Sequence, residues 1–256
     1  MSASDGLRAV LSIEFAGCTG TGKTTLARET RAVMESRGIP VFSPFELVFG
    51  RRARGLVRDE RAQNVLLDVA LFPFVITFCV RHSRVAWLLF SHLLFRPPPP
   101  IRAVARLRSL AGKMGIHVLH RLCGARPGVV LIDEGMLHSV HNVFVYTPTT
   151  ASAATLEEFA SQVPLCDLTV ILTASVDDIV VTTATRLDPP VRNAESAWVA
   201  ESARRAIAMF DALSCHERIR RVSAAIRMGP GGMTQSDAAL RVTERASAML
   251  RIRQGR

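Results

Sequence analysis

With 256 residues, the chain has room for one sizeable α/β domain and hardly for two. Its 32 basic and 22 acidic side chains leave a formal charge of +10, carried almost wholly by arginine, with Lys23 and Lys113 the only lysines. The arginines are scattered with little aromatic interleaving to stack bases, so no specific nucleic acid partner is expected. Five widely spaced cysteines, Cys18, Cys79, Cys123, Cys166 and Cys215, offer neither a disulfide framework nor a zinc pattern. Together with an N-terminus lacking a signal-peptide pattern, they lead to the expectation of a cytoplasmic protein.

Val10 to Phe15 supply a short apolar run suited to a buried strand. Directly after it stands Gly17-Cys18-Thr19-Gly20-Thr21-Gly22-Lys23-Thr24-Thr25, which fits the phosphate-loop pattern G-x-x-x-x-G-K-[ST]. The glycines let consecutive N–H groups wrap an anion, Lys23 reaches the terminal phosphates, and Thr24 is placed to ligate Mg2+. A chain of this length shows the bare pattern by chance about one time in a hundred. Thr24 to Glu35 continue as an amphipathic helix, with Leu26, Val33 and Met34 among charged residues, ending near Gly38. Cys18 reads either as a thiol tuned by the helix terminus or as a small loop residue, the second being preferred.

Ile39 to Phe42 read as a second strand, and Glu46 beyond it is a candidate for the acceptor side, since ligands bind outside the carboxyl ends of parallel strands. Its alternative is a helix cap or a surface acid. From Val65 to Val80, and again from Val85 to Phe95, the chain is too apolar for an ordinary surface helix, yet it is shorter than the about 18 consecutive apolar residues a spanning helix needs and contains Asp68 and Pro73. A buried helix pair is the leading reading; an interfacial membrane contact or a homodimer face is the alternative. Pro97 to Pro100 form a stiff spacer, and Ile101 to Cys123 return to helical spacing as a basic helix, either solvated or facing the phosphates.

Val129 to Ile132 make a fully buried strand ending in Asp133-Glu134-Gly135. Asp133 is placed to hold the Mg2+ water shell or the Thr24 hydroxyl, and Glu134 to orient or deprotonate an attacking group. Asp167 to Thr173 form another strand, followed by a helix capped at Ser175 with Asp177 and Asp178 in its first turn. Arg186 and Arg192 flank a Pro-rich break, the pattern of a mobile cover carrying positive charge. Asn193 to Leu213 read as a helix, Ile219 to Ala224 as a last strand, and Ser236 to Arg251 as a closing helix.

In this order the motifs resemble those of thymidylate kinase-like P-loop kinases. The resemblance implies an α/β three-layer fold over residues 1–256, with a central five-stranded parallel sheet flanked by helices, an apolar helical segment at about 58–126 and a lid at about 182–196. It implies ATP as phosphoryl donor, with Gly17 to Thr25 on its phosphates, Asp133 serving the metal and acceptor region, and Arg186 and Arg192 acting from the lid. The chain departs from that family where Asp133-Glu134-Gly135 stands in place of Asp-Arg or Glu-Arg, leaving no arginine there for an acceptor phosphate. Two mechanisms remain open: transfer of the γ-phosphoryl to a small-molecule acceptor, with Glu46 or Glu134 positioning it, or hydrolysis by a switch-like ATPase or GTPase in which Glu134 orients water and a partner reads the change.

Overall fold

The computed structural model describes residues 10–56, 59–95, 100–122, 128–145, 151–185 and 196–254. Five parallel strands, β1 (Val10–Gly17), β2 (Val41–Phe42), β3 (Gly128–Ile132), β4 (Leu168–Thr173) and β5 (Ser223–Arg227), form one sheet in the order β2-β3-β1-β4-β5. Alternation along the central strand divides the core. Leu11, Ile13 and Phe15 point to the layer holding α1 (Lys23–Ser36) and the C-terminal helix Gln235–Gln254, where Leu26, Met34, Val242 and Leu250 meet them. Ala16 points the other way, into the larger cluster. Full burial of a side chain such as Phe15 is worth about 2 kcal/mol.

The second layer is built largely from the middle of the chain. After α2 (Pro44–Phe49) and α3 (Arg51–Leu56) come the long α4 (Glu60–Arg81), α5 (Ser83–Phe95) and α6 (Pro100–Leu122). Between β3 and β4 lie a π-helical turn at His141–Val145 and α7 (Ala153–Gln162); α8 (Val176–Ala184), α9 (Ser196–Cys215) and α10 (Glu217–Arg220) precede β5, and α11 (Gln235–Gln254) closes the chain. Phe78, Leu89, Met114, Phe144, Phe159 and Phe210 knit these helices together. The cap expected at Ser175 is present, its side chain accepting from the Asp178 N–H at 3.1 Å.

Three expectations are corrected. The last strand lies at Ser223–Arg227, because Glu217–Arg220 takes a helical turn ahead of it. The apolar run expected to fall short of a membrane span lies, with Pro73 inside it, in a helix whose part Ala62–Arg81 is long and apolar enough to cross one by length and composition. The apolar helices are not a buried pair: Leu71 and Phe78 of α4 enter the core, but Val65, Val69, Phe72, Ile76 and Val80 are exposed.

Candidate functional site

β1 feeds directly into the glycine loop. Gly20 and Gly22 have φ of 88° and 84°, a region that strains any L side chain, and a Cβ on Gly22 would also run into the Gln235 amide. Thr21 Oγ1 donates to the Cys18 carbonyl at 2.8 Å, closing the turn. Lys23 opens α1 and folds back into the loop, its Nζ donating to Gly17 O at 3.2 Å and Cys18 O at 2.9 Å. The Cys18 thiol is buried and pushed up to about 11 by that burial, against the pull of Lys23, which favours the small loop residue over a thiol tuned by the helix terminus.

Because β3 is hydrogen-bonded beside β1, the residue that follows Ile132 emerges next to the loop. Asp133 Oδ2 there accepts from Thr24 Oγ1 at 2.7 Å, while Oδ1 is buried without a hydrogen-bond partner. A hydroxyl and a carboxylate with one unspent oxygen, at the mouth of an anion-binding loop, fit the few oxygen ligands that Mg2+ takes from protein when phosphate and water supply the rest. Burial raises the Asp133 carboxyl, and the Thr24 hydrogen bond opposes this.

Glu134 gathers the cations. Its carboxylate lies 3.7 Å from Lys23 Nζ, 3.3 Å from Lys113 Nζ and 3.2 Å from His138 Nε2. Desolvation pushes this carboxyl up, but His138 and the two lysines prevail and hold it well below the usual carboxylate range. Lys113, from the middle of α6, is buried and is also tied to Ser109 Oγ at 2.9 Å. Burial lowers its ammonium, with Glu134 and Glu14 working against that shift.

Beneath the cluster, Glu14 of β1 is fully buried and accepts the His138 backbone N–H at 2.9 Å; its other oxygen has no partner. Burial pushes Glu14 up to about 7. Gly135 explains the run that follows β3: a Cβ there would lie 2.6 Å from Cδ of Glu14, so the chain can pass over the acid only without a side chain. His138 is lowered to about 4 by burial despite Glu134. His141, lowered well below 6.5 chiefly by burial, stacks on it with ring centroids 5.1 Å apart and accepts the Thr19 N–H at 3.4 Å through Nε2. Acceptance through Nε2 requires the neutral imidazole that burial favours.

Of the expected site residues, the fold brings together Gly17 to Thr25, Asp133 and Glu134. Thr25 lines a cavity of about 560 Å³ with Gly20, Asp178 and the turn from Met228 to Gln235. Glu46 stands apart from this group in its bonding: both oxygens receive the Arg31 guanidinium, at 2.9 and 3.0 Å, and it closes a capping box with Ser43 on α2. Its carboxylate joins α1 to α2, the bonding that the helix-cap alternative describes. Arg186 and Arg192, with the core of the expected lid, lie outside the described residues. Glu14, His138 and His141 were not legible as site residues, since an isolated acid in an apolar strand and two histidines in a mixed segment carry no local pattern.

A parallel sheet whose central strand runs into a lysine-bearing glycine loop, with the neighbouring strand delivering an acid to the loop threonine, is the P-loop NTPase fold. No family model and no curated protein matches the sequence. Among solved structures the chain is similar to a shikimate kinase from Acinetobacter baumannii in complex with shikimate, at 14% identity over 94% of this chain and 95% of that one, with a TM-score of 0.42.

Proposed function

We propose that the chain is a phosphotransferase that moves the γ-phosphoryl of ATP to a small-molecule acceptor with the help of Mg2+. The observation that carries this reading is the second buried lysine. Lys113 approaches Glu134 from the helical middle while Lys23 approaches it from the loop, so two ammonium groups flank the point where a terminal phosphoryl would lie. A transferring phosphoryl is handled almost entirely by placement and by fixed positive charge. Thr24 and Asp133 would hold the metal, which would supply charge neutralisation to the phosphates. Lys23 must release its two loop carbonyls to reach phosphate, and Glu134, held by His138, marks where the lysines rest between turnovers. Lys113 supplies the cation that the Asp133-Glu134-Gly135 run lacks on the acceptor side.

The hydrolytic reading requires Glu134 to orient or deprotonate water. The Glu134 oxygens are already engaged by Lys23, Lys113 and His138. Transfer is therefore favoured over hydrolysis. The thymidylate kinase-like order of motifs puts nucleosides and nucleotides first among acceptors. The test is ATP turnover by the purified chain in buffer alone and with a panel of nucleosides, nucleotides and other hydroxyl or phosphate acceptors. Slow turnover in water that rises severalfold with one class of acceptor is expected. Rapid turnover indifferent to every acceptor would return the protein to the hydrolytic class.

A further inference from the structure

The chain's positive charge is not evenly spread. Residues 69–132 hold nine arginines and lysines and no aspartate or glutamate, whereas the remainder holds 23 basic and 22 acidic residues, so nine of the ten net charges belong to one segment. That segment contains most of α4, all of α5 and α6, and β3.

The same segment carries apolar surface that the fold does not cover. On α4, Leu67, Leu71, Phe74 and Phe78 form the stripe that packs inward, and at 3.6 residues per turn Val65, Val69, Phe72, Ile76 and Val80 form a second stripe nearly opposite. Val69, Phe72, Ile76 and Val80 are 71%, 65%, 53% and 75% exposed. A helix apolar on both sides belongs in an interior or against a non-aqueous phase. On α5 the core takes Val85, Leu89 and Leu93, while Arg84, Trp87 and Phe95 share the outward side, Trp87 and Phe95 with ring centroids 6.5 Å apart. Exposed Arg81 and Arg84 sit where the two helices join.

Several occupants could cover such a face, and charge decides among them. A second copy seated symmetrically on this face would bring its exposed Arg81 and Arg84 against the same arginines. A polynucleotide would satisfy the cations and leave valines, isoleucine and phenylalanine wet. An anionic lipid surface satisfies both, with apolar and aromatic side chains at the acyl boundary and arginines among the headgroups. By length and composition Ala62–Arg81 could cross a membrane, but its inner stripe is committed to the core and Asp68 pairs with Arg108 of α6. The helix therefore lies on the bilayer. We propose that the consecutive helices α4 and α5 dock this protein onto anionic membrane surfaces, independently of what its phosphate loop catalyses.

The test is partition of the full chain into vesicles of phosphatidylcholine alone and of an equal mixture with phosphatidylglycerol. Binding to the anionic vesicles only, released by added salt, is expected. Arg81→Gln with Arg84→Gln should weaken it about twenty-fivefold, since each cation near such a surface is worth about fivefold. Phe72→Ser with Ile76→Ser should weaken it at least about tenfold, with Mg-ATP binding retained in both variants as the check on folding. In a Trp198→Phe background, leaving Trp87 as the sole tryptophan, emission should shift to the blue on anionic vesicles and be quenched by brominated lipid. No binding to anionic vesicles, or equal binding to neutral ones, would overturn the proposal. So would a dimer in solution that Phe72→Ser with Ile76→Ser dissociates in a chain that ignores vesicles, or polynucleotide binding that needs Arg81 and Arg84 where vesicle binding does not.

Discussion

At the residue scale the choice of lysine is informative. The chain uses arginine thirty times and lysine twice, and both lysines end at Glu134. A planar guanidinium is built for fork-like recognition of carboxylates and phosphates, whereas a compact ammonium on a flexible stem fits a narrow buried position and moves between partners. We expect Lys113→Ala to lower kcat by about 10² to 10³, the cost of removing one preorganised donor from a developing charge, while ATP affinity changes little. Lys113→Arg should not rescue, because its head is too broad for the pocket between Ser109 and Glu134. Initial rates at saturating ATP, beside calorimetric ATP titrations, separate the two effects. Glu14 allows a second prediction. Its folded value of about 7 lies above the ordinary 4.5, so the folded chain prefers the protonated form. That contribution is complete below about pH 4.5 and is lost as pH rises through 7, amounting to about 3 kcal/mol. Glu14→Gln keeps the neutral shape without titrating. Urea unfolding should show the variant gaining on the parent between pH 4.5 and 7.5, and the lowered His138 cancels because both proteins carry it. Parallel pH profiles would show that Glu14 does not titrate in this range.

At the scale of elements, what was legible follows from how local each signal is. The strand, loop and helix from Val10 to Ser36 announce themselves, since glycine spacing, an apolar run and a 3.6-residue period lie within thirty residues. Val129 to Asp133 is legible for the same reason, and the Thr24–Asp133 contact follows once β3 is set beside β1. The short α2 and α3 are not, because α2 is defined by a cap whose acid, Glu46, could equally have served a ligand. Tertiary context supplies what the local sequence lacks: Arg31 reaches across from α1 and donates to both oxygens. The exposed stripe of α4 was hidden for the opposite reason, as hydrophobicity on all sides predicts burial and cannot say which side is left open. If Glu46 is a strut, Glu46→Ala should cost about 2 kcal/mol through the lost cap and the unpaired guanidinium and leave kcat of the remaining folded enzyme unchanged. Thermal unfolding and acceptor-saturated rates measured on one preparation check both halves. A collapse of kcat without loss of stability would restore Glu46 to the acceptor side.

At the scale of the molecule the two kinds of surface are segregated. The glycine loop, Thr24 and Asp133 lie at the carboxyl ends of β1 and β3, where strand order reverses; α6 of the covering layer contributes Lys113 to that site, whereas the exposed residues Val69, Phe72, Ile76 and Val80 of α4 face solvent. Ligands for the two parts should therefore act on stability separately. A nucleotide that binds only the folded loop stabilises by mass action, about 2.7 kcal/mol at a hundred times its Kd, which in a chain of this size corresponds to a rise in Tm of about 5 to 10 °C. The rise should require divalent metal, because Asp133 Oδ1 and the Thr24 hydroxyl otherwise face the phosphates without a cation between them, and chelation should remove most of it. Lys23→Ala should abolish the shift, since that ammonium is the loop's own charge on the terminal phosphates. Phe72→Ser with Ile76→Ser should leave the shift intact. Scanning fluorimetry of the parent and both variants, with and without Mg-ATP, makes the comparison directly. A shift that survives loss of Lys23 would place the nucleotide elsewhere than in the glycine loop and would remove the physical basis for phosphoryl transfer at this site.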